Sequence, residues 1–392
     1  MDSDVLKIAI ASDLHAHSSD GESPSYLDVR DSENLPNLNP LAGLKHLIAE
    51  EGLKADLLLC PGDLGHQANS VGIAYSWKAL HSLGLLLEAD LVTATAGNHD
   101  IDSRYLGDDH SPEHILKGLE PPFPLSDETL ADKYWGRAFA IIDQEQYRLV
   151  ILNSSAYHGN ATIVKNFGRI DRQTLGDLEK EFKRRGKKSI NILLCHHHPQ
   201  QHSELGLGEE DYMRQGQLLL DLLGSGNYGD WIVIHGHKHH PKITYAAGGT
   251  NSPVIFAAGS LSSKIFLPAS SVARNQFYIM TVDAGHFPSM GCVGTVKAWD
   301  WAQGTGWIPS GEDSGLPAQF GFGTRSNVNI LADEVMTFLG KRAMKWEDLL
   351  GKMNSLMFLL PQDMRRLERA LAAHNVEIMK KRSIPVQIGK MI

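Results

Sequence analysis

Five short polar clusters along the 392-residue chain combine carboxylate, imidazole and amide side chains. In chain order they are Asp13-Leu14-His15, Gly62-Asp63, Gly97-Asn98-His99-Asp100, His196-His197-His198-Pro199 and Gly236-His237-Lys238-His239. Oxygen and imidazole ligands without thiolate suit divalent Mn, Fe, Co, Ni or Zn, and they do not select among these metals. Each cluster alone is a weak signal, because short motifs recur by chance. Five of them in one chain indicate a metal site.

Each cluster follows a short apolar run that is predicted to be a buried β-strand. The runs cover residues 7–12, 56–60, 91–96, 190–195 and 231–234. Helical stretches at 41–51 and 171–185 lie between them, and a hairpin is predicted at 137–142 and 147–153. Alternating strands and helices indicate an α/β fold, in which ligands bind outside the carboxyl ends of the strands. We therefore expect the clusters to meet at one edge of a sheet.

The composition is that of an ordinary globular enzyme. Apolar residues make up 42% and charged residues 21% of the chain, which argues against disorder. No window approaches the roughly 18 apolar residues of a membrane span, and the first strand leads into Asp13 without room for a signal peptide. Three scattered cysteines do not make a disulfide framework. These observations favour a cytoplasmic protein that does not contact a membrane.

As an ordered set, the clusters resemble the signature of the calcineurin-like metallophosphoesterase superfamily. That signature reads Asp-x-His, Gly-Asp, Gly-Asn-His-Asp/Glu, His and Gly-His-x-His, and the resemblance covers roughly residues 5–285. It implies a four-layer α/β/β/α sandwich, in which two β-sheets are flanked by helices. It also implies a dinuclear metal centre that hydrolyses a phosphoester.

The resemblance implies a ligand set for two divalent ions, with Mn favoured for assays in vitro. By position, the first ion would be held by Asp13, His15, Asp63 and His239. The second ion would be held by Asp63, Asn98, His197 and His237, so that Asp63 is shared. The family's His-x-Pro pattern selects His197 from the run of three histidines, and His196 is the alternative.

The resemblance also implies the roles of further residues. A hydroxide that bridges the ions would attack phosphorus in line. His99 would lie beside the phosphate and either protonate the leaving oxygen or stabilise phosphoryl charge, with Asp100 fixing its orientation. Arg104 and His198 are candidates for substrate contacts, although a solvated histidine is an equal alternative for His198.

A phosphodiester is the favoured substrate, as in a nuclease or a cyclic-nucleotide phosphodiesterase. Residue 96 is Ala, where protein Ser/Thr phosphatases carry Arg just before Gly-Asn-His. The opening Asp-x-His also resembles the diesterase, nuclease and nucleotidase branches. A phosphomonoesterase or nucleotidase is the alternative. A further alternative is a metal-poor scaffold of the same fold that binds protein, although no ligand position is missing here.

The sequence divides into a catalytic domain at 1–296, a Trp- and Gly-rich connector at 297–324 and a basic C-terminal module at 325–392. The module has twelve Lys and Arg against seven Asp and Glu, a local charge of +5, whereas residues 1–324 carry −14. A basic module beside an acidic domain indicates an acidic partner.

Helical periodicity predicts three helices in the module, at 328–339, at 346–360 and from Pro361 onward. A small basic hairpin is predicted around 380–383. Three helices followed by a hairpin resemble a winged-helix arrangement, for which nucleic acid is the candidate partner. A helical cap that packs on the catalytic domain is the alternative.

Overall fold

The computed structural model of the protein describes residues 5–18, 24–30, 35–103, 109–159, 167–201, 211–265, 273–285, 291–312, 315–340 and 343–390. The strands are β1 (Val5–Ile10), β2 (Leu57–Cys60), β3 (Leu91–Ala94), β4 (Phe139–Asp143), β5 (Tyr147–Leu152), β6 (Ile190–Leu194), β7 (Trp231–His235), β8 (Lys242–Tyr245), β9 (Val254–Ala257), β10 (Gln276–Asp283), β11 (Val293–Ala302), β12 (Gly306–Pro309), β13 (Gln319–Phe322), β14 (Met344–Lys345), β15 (Val376–Lys381) and β16 (Ile384–Lys390).

The helices are α1 (Pro40–Glu51), α2 (Ser70–Leu87), α3 (His114–Lys117), α4 (Glu128–Arg137), α5 (Arg172–Arg185), α6 (Gly216–Leu223), α7 (Val328–Leu339), α8 (Trp346–Leu350) and α9 (Pro361–Ala372), with a 3-10 helix at Asn354–Phe358. Of the helices in these described residues, none combines the length and the hydropathy that crossing a lipid bilayer requires.

Two mixed sheets form the body of the molecule. The first has the order β12-β11-β10-β1-β2-β3, with β13 also paired to β11, and its strands β1, β2 and β3 are parallel. The second has the order β4-β5-β6-β7-β9-β8, and β5, β6, β7 and β9 are parallel. The predicted hairpin is confirmed as the antiparallel pair β4 and β5.

Alternation along the strands shows how the layers pack. Leu149 and Ile192 of the second sheet share one buried cluster with the first sheet and with α1 and α2. Their neighbours Val150 and Leu193 point to the opposite face, where they pack with Phe182 of α5 and with α6. Because successive side chains of a strand point to opposite faces, each sheet has one face on its partner and one on helices. The predicted α/β/β/α sandwich is confirmed.

Local signals fix the ends of the helices that flank the sheets. The Asn39 side chain accepts hydrogen bonds from the first amides of α1, and Gly52 ends that helix in a left-handed conformation. The Asp171 side chain accepts from Thr174 at the start of α5. Both helices begin and end within one residue of their predicted bounds.

The structure differs from the expectation for residues 297–324. This segment was expected to be a connector, but it contributes most of β11 and all of β12 and β13 to the first sheet. Trp299 and Trp301 bury their rings there, and Gly323 passes Val293 of β11 so closely that a Cβ would lie 2.5 Å from its side chain. Glycines that serve close strand packing therefore gave the segment the composition of a linker.

The C-terminal module follows the order α7, β14, α8, α9, β15 and β16, with a small sheet of order β14-β16-β15. The winged-helix expectation is confirmed in this order. The predicted helix at 346–360 is instead split into α8 and the 3-10 helix, because the chain turns after Gly351. Buried residues that include Val335, Leu349, Leu367 and Ile388 give the module its own core.

The module packs directly on the first sheet. The Gly321 amide of β13 donates to the Leu359 carbonyl at 3.2 Å, and the Thr324 amide donates to the Phe358 carbonyl at 3.0 Å. A Cβ on Gly321 would lie 2.0 Å from the Met357 carbonyl oxygen, so the two backbones touch. The module is therefore part of the body of the protein, as the packed-cap alternative proposed.

Candidate metal centre

The predicted clusters meet where β1, β2, β3, β6 and β7 end. The Asp13 amide donates to the Gly62 carbonyl at 3.0 Å, and the His99 amide donates to Asp63 Oδ1 at 2.8 Å. Glycine is needed for this approach, since a Cβ on Gly97 would lie 2.1 Å from Asp63 Oδ1. The glycines of the motifs thus allow loops from different strands to touch.

Five residues of the predicted ligand set have a left-handed backbone. Their φ angles are 52° at Asp13, 46° at His15, 55° at Asp63, 81° at His237 and 52° at His239. Non-glycine residues adopt this region infrequently, and it is costly when a side chain is present. The loops therefore hold these side chains in directions that a relaxed turn would not give.

The first group of converging side chains is Asp13, His15, Asp63 and His239. His15 Nε2 lies 3.0 Å from His239 Nε2 and 3.5 Å from Asp63 Oδ2, and His239 Nε2 lies 3.5 Å from Asp13 Oδ1. Ligand atoms about 2.1 Å from one ion lie about 3.0 to 3.4 Å apart in octahedral or tetrahedral geometry. The spacing of this group fits one divalent ion.

The second group shares Asp63 with the first. His196 Nε2 lies 3.4 Å from Asp63 Oδ2 and 3.0 Å from Asn98 Oδ1, and His237 Nδ1 lies 2.9 Å from Asn98 Oδ1. Asp63 Oδ2 has no hydrogen-bond partner among the residues that the structure describes, yet it is buried and faces histidines of both groups. An oxygen in this position fits a ligand shared by two ions.

Charge in the site favours cations. Burial would raise the pKa of Asp63, but His196, His99 and His15 outweigh it and hold that pKa well below its usual value. Burial would likewise lower the pKa of His196, but Asp63 and Asp13 outweigh burial and raise it to about 9. The two carboxylates therefore attract positive charge to the space between the histidines.

His196 and His197 have different hydrogen-bond partners, and the His-x-Pro pattern selects His197. His196 Nδ1 donates to the Pro61 carbonyl at 2.8 Å, which directs Nε2 toward Asp63 and Asn98. The structure thus brings His196 into the group of side chains where His197 was expected.

The ring of His197 is held differently. Ser154 Oγ accepts from the amides of His196 and His197 at 3.3 and 3.2 Å, and it lies 2.9 Å from His197 Nδ1. Ser154 therefore holds the His197 ring from its Nδ1 side. His197 Nε2 is buried without a hydrogen-bond partner among the described residues, and His197 has a ring nitrogen within 4.8 Å of ligand atoms of His196 and His237. His197 therefore remains the alternative ligand.

Strand alternation is the sequence signal that favours His196. Ile192 and Leu194 of β6 face the other sheet, and His196 continues their even-numbered series. Leu193 and Cys195 point to the helices on the opposite face.

Asp100 has different partners from those expected. Its carboxylate accepts from the Gly65 amide at 3.0 Å and the Gly97 amide at 2.9 Å, while His99 Nδ1 accepts from the Gln67 amide at 3.3 Å. Burial, together with Asp63, raises the pKa of Asp100 to about 7. Asp100 therefore orients the loops that carry Asp63 and Asn98, and the loop after β2 orients the His99 ring.

Arg104 and His198 are the two residues predicted to contact the substrate. Arg104 lies outside the described residues. His198 is buried, its carbonyl accepts from the Met213 amide at 2.8 Å, and its ring stacks on His237 at 5.8 Å. The solvated-histidine alternative for His198 therefore does not describe its position.

Two residues near the centre were not assigned from the sequence. Ser103 Oγ donates to the Asn98 carbonyl at 2.7 Å and lies 2.8 Å from His158 Nδ1, so this pair steadies the Asn98 loop. His66 stacks on the ring of His99 at 5.1 Å. His66 follows Asp63 by three residues, and that spacing alone gave no reason to select it.

Comparisons with known proteins agree with this geometry. The profile of the family described as calcineurin-like phosphoesterase matches residues 6–241, and a profile described as wHTH-Calcineurin_assc matches residues 320–373. A search of curated proteins found no match.

Solved structures with a similar fold have low sequence identity to this chain. A purple acid phosphatase from yellow lupin (Lupinus luteus) is 14% identical, with a TM-score of 0.50 over 81% of this chain and 53% of that one. A 5'-nucleotidase precursor from Thermus thermophilus is 13% identical, with a TM-score of 0.37 over 72% of this chain and 52% of that one. This chain thus spans about half the length of each.

The profile match covers more than half of the chain and includes every residue of both converging groups. The lupin structure supports the sandwich fold. The Asp and His side chains of the two groups form clusters that could hold metal ions. The chain belongs to the calcineurin-like phosphoesterase family.

Proposed function

We propose that this protein is a dinuclear metal-dependent phosphodiesterase. The observation that carries the proposal is Asp63 Oδ2, which faces His15 on one side and His196 on the other at 3.5 and 3.4 Å. Two adjacent divalent ions, when bound, supply positive charge to the phosphoryl oxygens and lower the pKa of a water. Such a pair suits in-line displacement at phosphorus.

The ligand assignment follows the two groups of side chains. Asp13, His15, Asp63 and His239 would hold the first ion. Asp63, Asn98, His196 and His237 would hold the second ion. Two carboxylates balance only two of the four positive charges of such a pair, because Asn98 is an amide. The excess positive charge would attract an anionic phosphate. The ligand types do not select among divalent metals, and Mn is the proposed choice for assays.

His99 is the proposed proton donor of the site. Its Nδ1 accepts from the Gln67 amide, so a neutral His99 ring carries its proton on Nε2. That N–H can donate to a phosphoryl or leaving oxygen. The side chain does not belong to either ligand group, which separates its role from metal binding.

A buried Ala96 supports a diester substrate over a monoester. The position directly precedes Gly97-Asn98-His99 and is fully buried. Its methyl group offers no positive charge, whereas a monoester dianion has one more negative charge than a diester. A site without a cation at this position has less to stabilise that charge.

The rate ratio between two esters tests this preference. We expect the Mn-loaded protein to hydrolyse bis-p-nitrophenyl phosphate at least about ten times faster, in kcat/KM, than p-nitrophenyl phosphate, because the monoester carries the extra charge. The release of nitrophenolate gives both rates, and cyclic nucleotides and DNA extend the comparison.

A clear reversal of this ratio would make the protein a phosphomonoesterase or nucleotidase. Failure to bind divalent metal would instead favour the scaffold alternative.

Nucleic acid is the proposed partner of the C-terminal module. Arg365, Arg366 and Arg369 are exposed on α9, the third helix of the winged-helix order, and Lys381 and Arg382 are exposed at the tip of the hairpin. Exposed basic side chains on a helix and an adjacent hairpin can contact phosphates of one strand. A nuclease activity of the catalytic site would fit such a partner.

Charge reversal at α9 tests this partner. We expect Arg365→Glu with Arg369→Glu to weaken binding of a DNA or RNA oligonucleotide at least tenfold at low salt, because each arginine would lose a phosphate contact. Fluorescence anisotropy measures the affinity and its salt dependence.

The matched control is Lys352→Glu, an exposed basic residue that lies over Phe338 of α7. If the variant with Arg365→Glu and Arg369→Glu binds the oligonucleotide as tightly as the Lys352→Glu variant, nucleic acid is not the partner of α9. Truncation is unsuitable as a test, because β13 packs against the module.

A further inference from the structure

A second imidazole lies beside His99 at the mouth of the centre. The rings of His66 and His99 stack with centroids 5.1 Å apart and planes inclined by 29°. Both residues are partly exposed, whereas His15 behind them is buried. His66 belongs to neither ligand group, so its position raises the question of what it contacts during the reaction.

Backbone hydrogen bonds build this stack. The Ala68 amide donates to the His99 carbonyl at 2.7 Å, and the Gln67 amide donates to His99 Nδ1 at 3.3 Å. The His66 amide donates to the Ala16 carbonyl at 3.1 Å. The loops after β1, β2 and β3 are therefore joined at the two rings, and the pair is part of the fold.

The spacing of the ring nitrogens suits one anionic group. Ligand atoms of His15, His66 and His99 all lie within 4.8 Å of one another. An N–H donor reaches an oxygen at about 2.7 to 3.2 Å, so donors this close can bind the same oxygen or two oxygens of one phosphoryl group. His15 faces Asp63 and His239, and His66 and His99 are the more exposed rings of the three.

We propose that His66 is a catalytic residue that donates a hydrogen bond to the phosphoryl group together with His99. The proposal rests on the proposed function, since it concerns the phosphoester bound at the same centre. A hydrogen bond to a charged oxygen is stronger than one between neutral groups. The two imidazoles would stabilise the charge that develops on the phosphoryl oxygens in the transition state.

Inorganic phosphate is the direct probe. We expect His66→Ala to weaken the binding of phosphate to the Mn-loaded protein about tenfold or more, measured by calorimetry, because a donor to a charged group is lost. His66→Gln keeps an N–H donor and should recover part of this affinity. His46→Ala, on the exposed face of α1, is the matched control and should not change it.

Kinetics provide the second readout. We expect His66→Ala to lower kcat about 10²-fold with both ions retained, as for the loss of one donor to a developing oxyanion. In a His99→Ala background the same change should cost much less, because the two rings act on one group.

Three outcomes would overturn the proposal. They are unchanged phosphate affinity in His66→Ala, fully additive effects of the two substitutions, and loss of bound metal in His66→Ala, which would make His66 a ligand of a third ion. Failure of the proposed diester preference would leave the phosphate measurement valid, so the two hypotheses fail separately.

Discussion

Asp63→Asn is expected to abolish hydrolysis and to remove most of the bound metal. Asn keeps the shape of the side chain and an oxygen that can accept from the His99 amide. It removes a negative charge at an oxygen that faces histidine rings of both groups. Both ions would lose a ligand at once, and the charge that holds them would fall by half. Elemental analysis after dialysis and the rate on a chromogenic diester measure the two effects.

Asp90→Asn is the control, because Asp90 is exposed directly before β3, at the opposite end of that strand from the centre. Chelation of the wild-type protein should reproduce the loss of activity, and added Mn should reverse it. Retention of two ions and of the wild-type rate in Asp63→Asn would contradict the assignment.

Metal analysis of His196→Ala and His197→Ala tests which of these histidines is a ligand. We expect His196→Ala to lose the second ion and His197→Ala to retain it.

His99→Ala is expected to lower kcat by about 10² to 10⁴ while both ions remain bound. The Asp63 carboxylate is held by the backbone amide of His99, which alanine keeps. The substitution therefore removes the N–H donor without disturbing the shared ligand. Stopped assays with a good and a poor leaving group measure the loss. A larger loss with the poor leaving group would indicate proton transfer to the leaving oxygen.

The control for this experiment is His114→Ala, an exposed histidine on α3. Loss of metal in His99→Ala would make His99 a ligand, and unchanged kcat would remove it from the mechanism.

The family and the location of the centre could be predicted from sequence because both depend on local patterns. Buried parallel strands have short apolar runs, and ligands gather at their carboxyl ends, so the sequence alone predicts that Asp13, Asp63 and Asn98 lie close together. The choice between His196 and His197 depends on a register of one residue and on Ser154, which is 42 residues away from His196. Motif spacing does not contain that information.

Other features of the structure that sequence patterns do not predict also depend on tertiary contacts. Asp100 was expected to orient its sequence neighbour, but Gly65 and Gly97 present their amides to it instead. His66 becomes significant only because the loop after β2 folds against His99. Residues 297–324 have a linker's composition, and only pairing with β10 and β13 shows that they belong to the sheet.

The left-handed backbone at five residues of the proposed ligand set implies a conflict between stability and function. Each such residue costs of order 1 to 3 kcal/mol, and glycine would adopt the same conformation with little penalty. Selection for a long-lived fold alone would replace residues such as Asp13 and Asp63 with glycine. If these side chains hold the proposed ions, the centre is a built-in weak point of the protein that natural variation cannot repair without loss of the proposed activity.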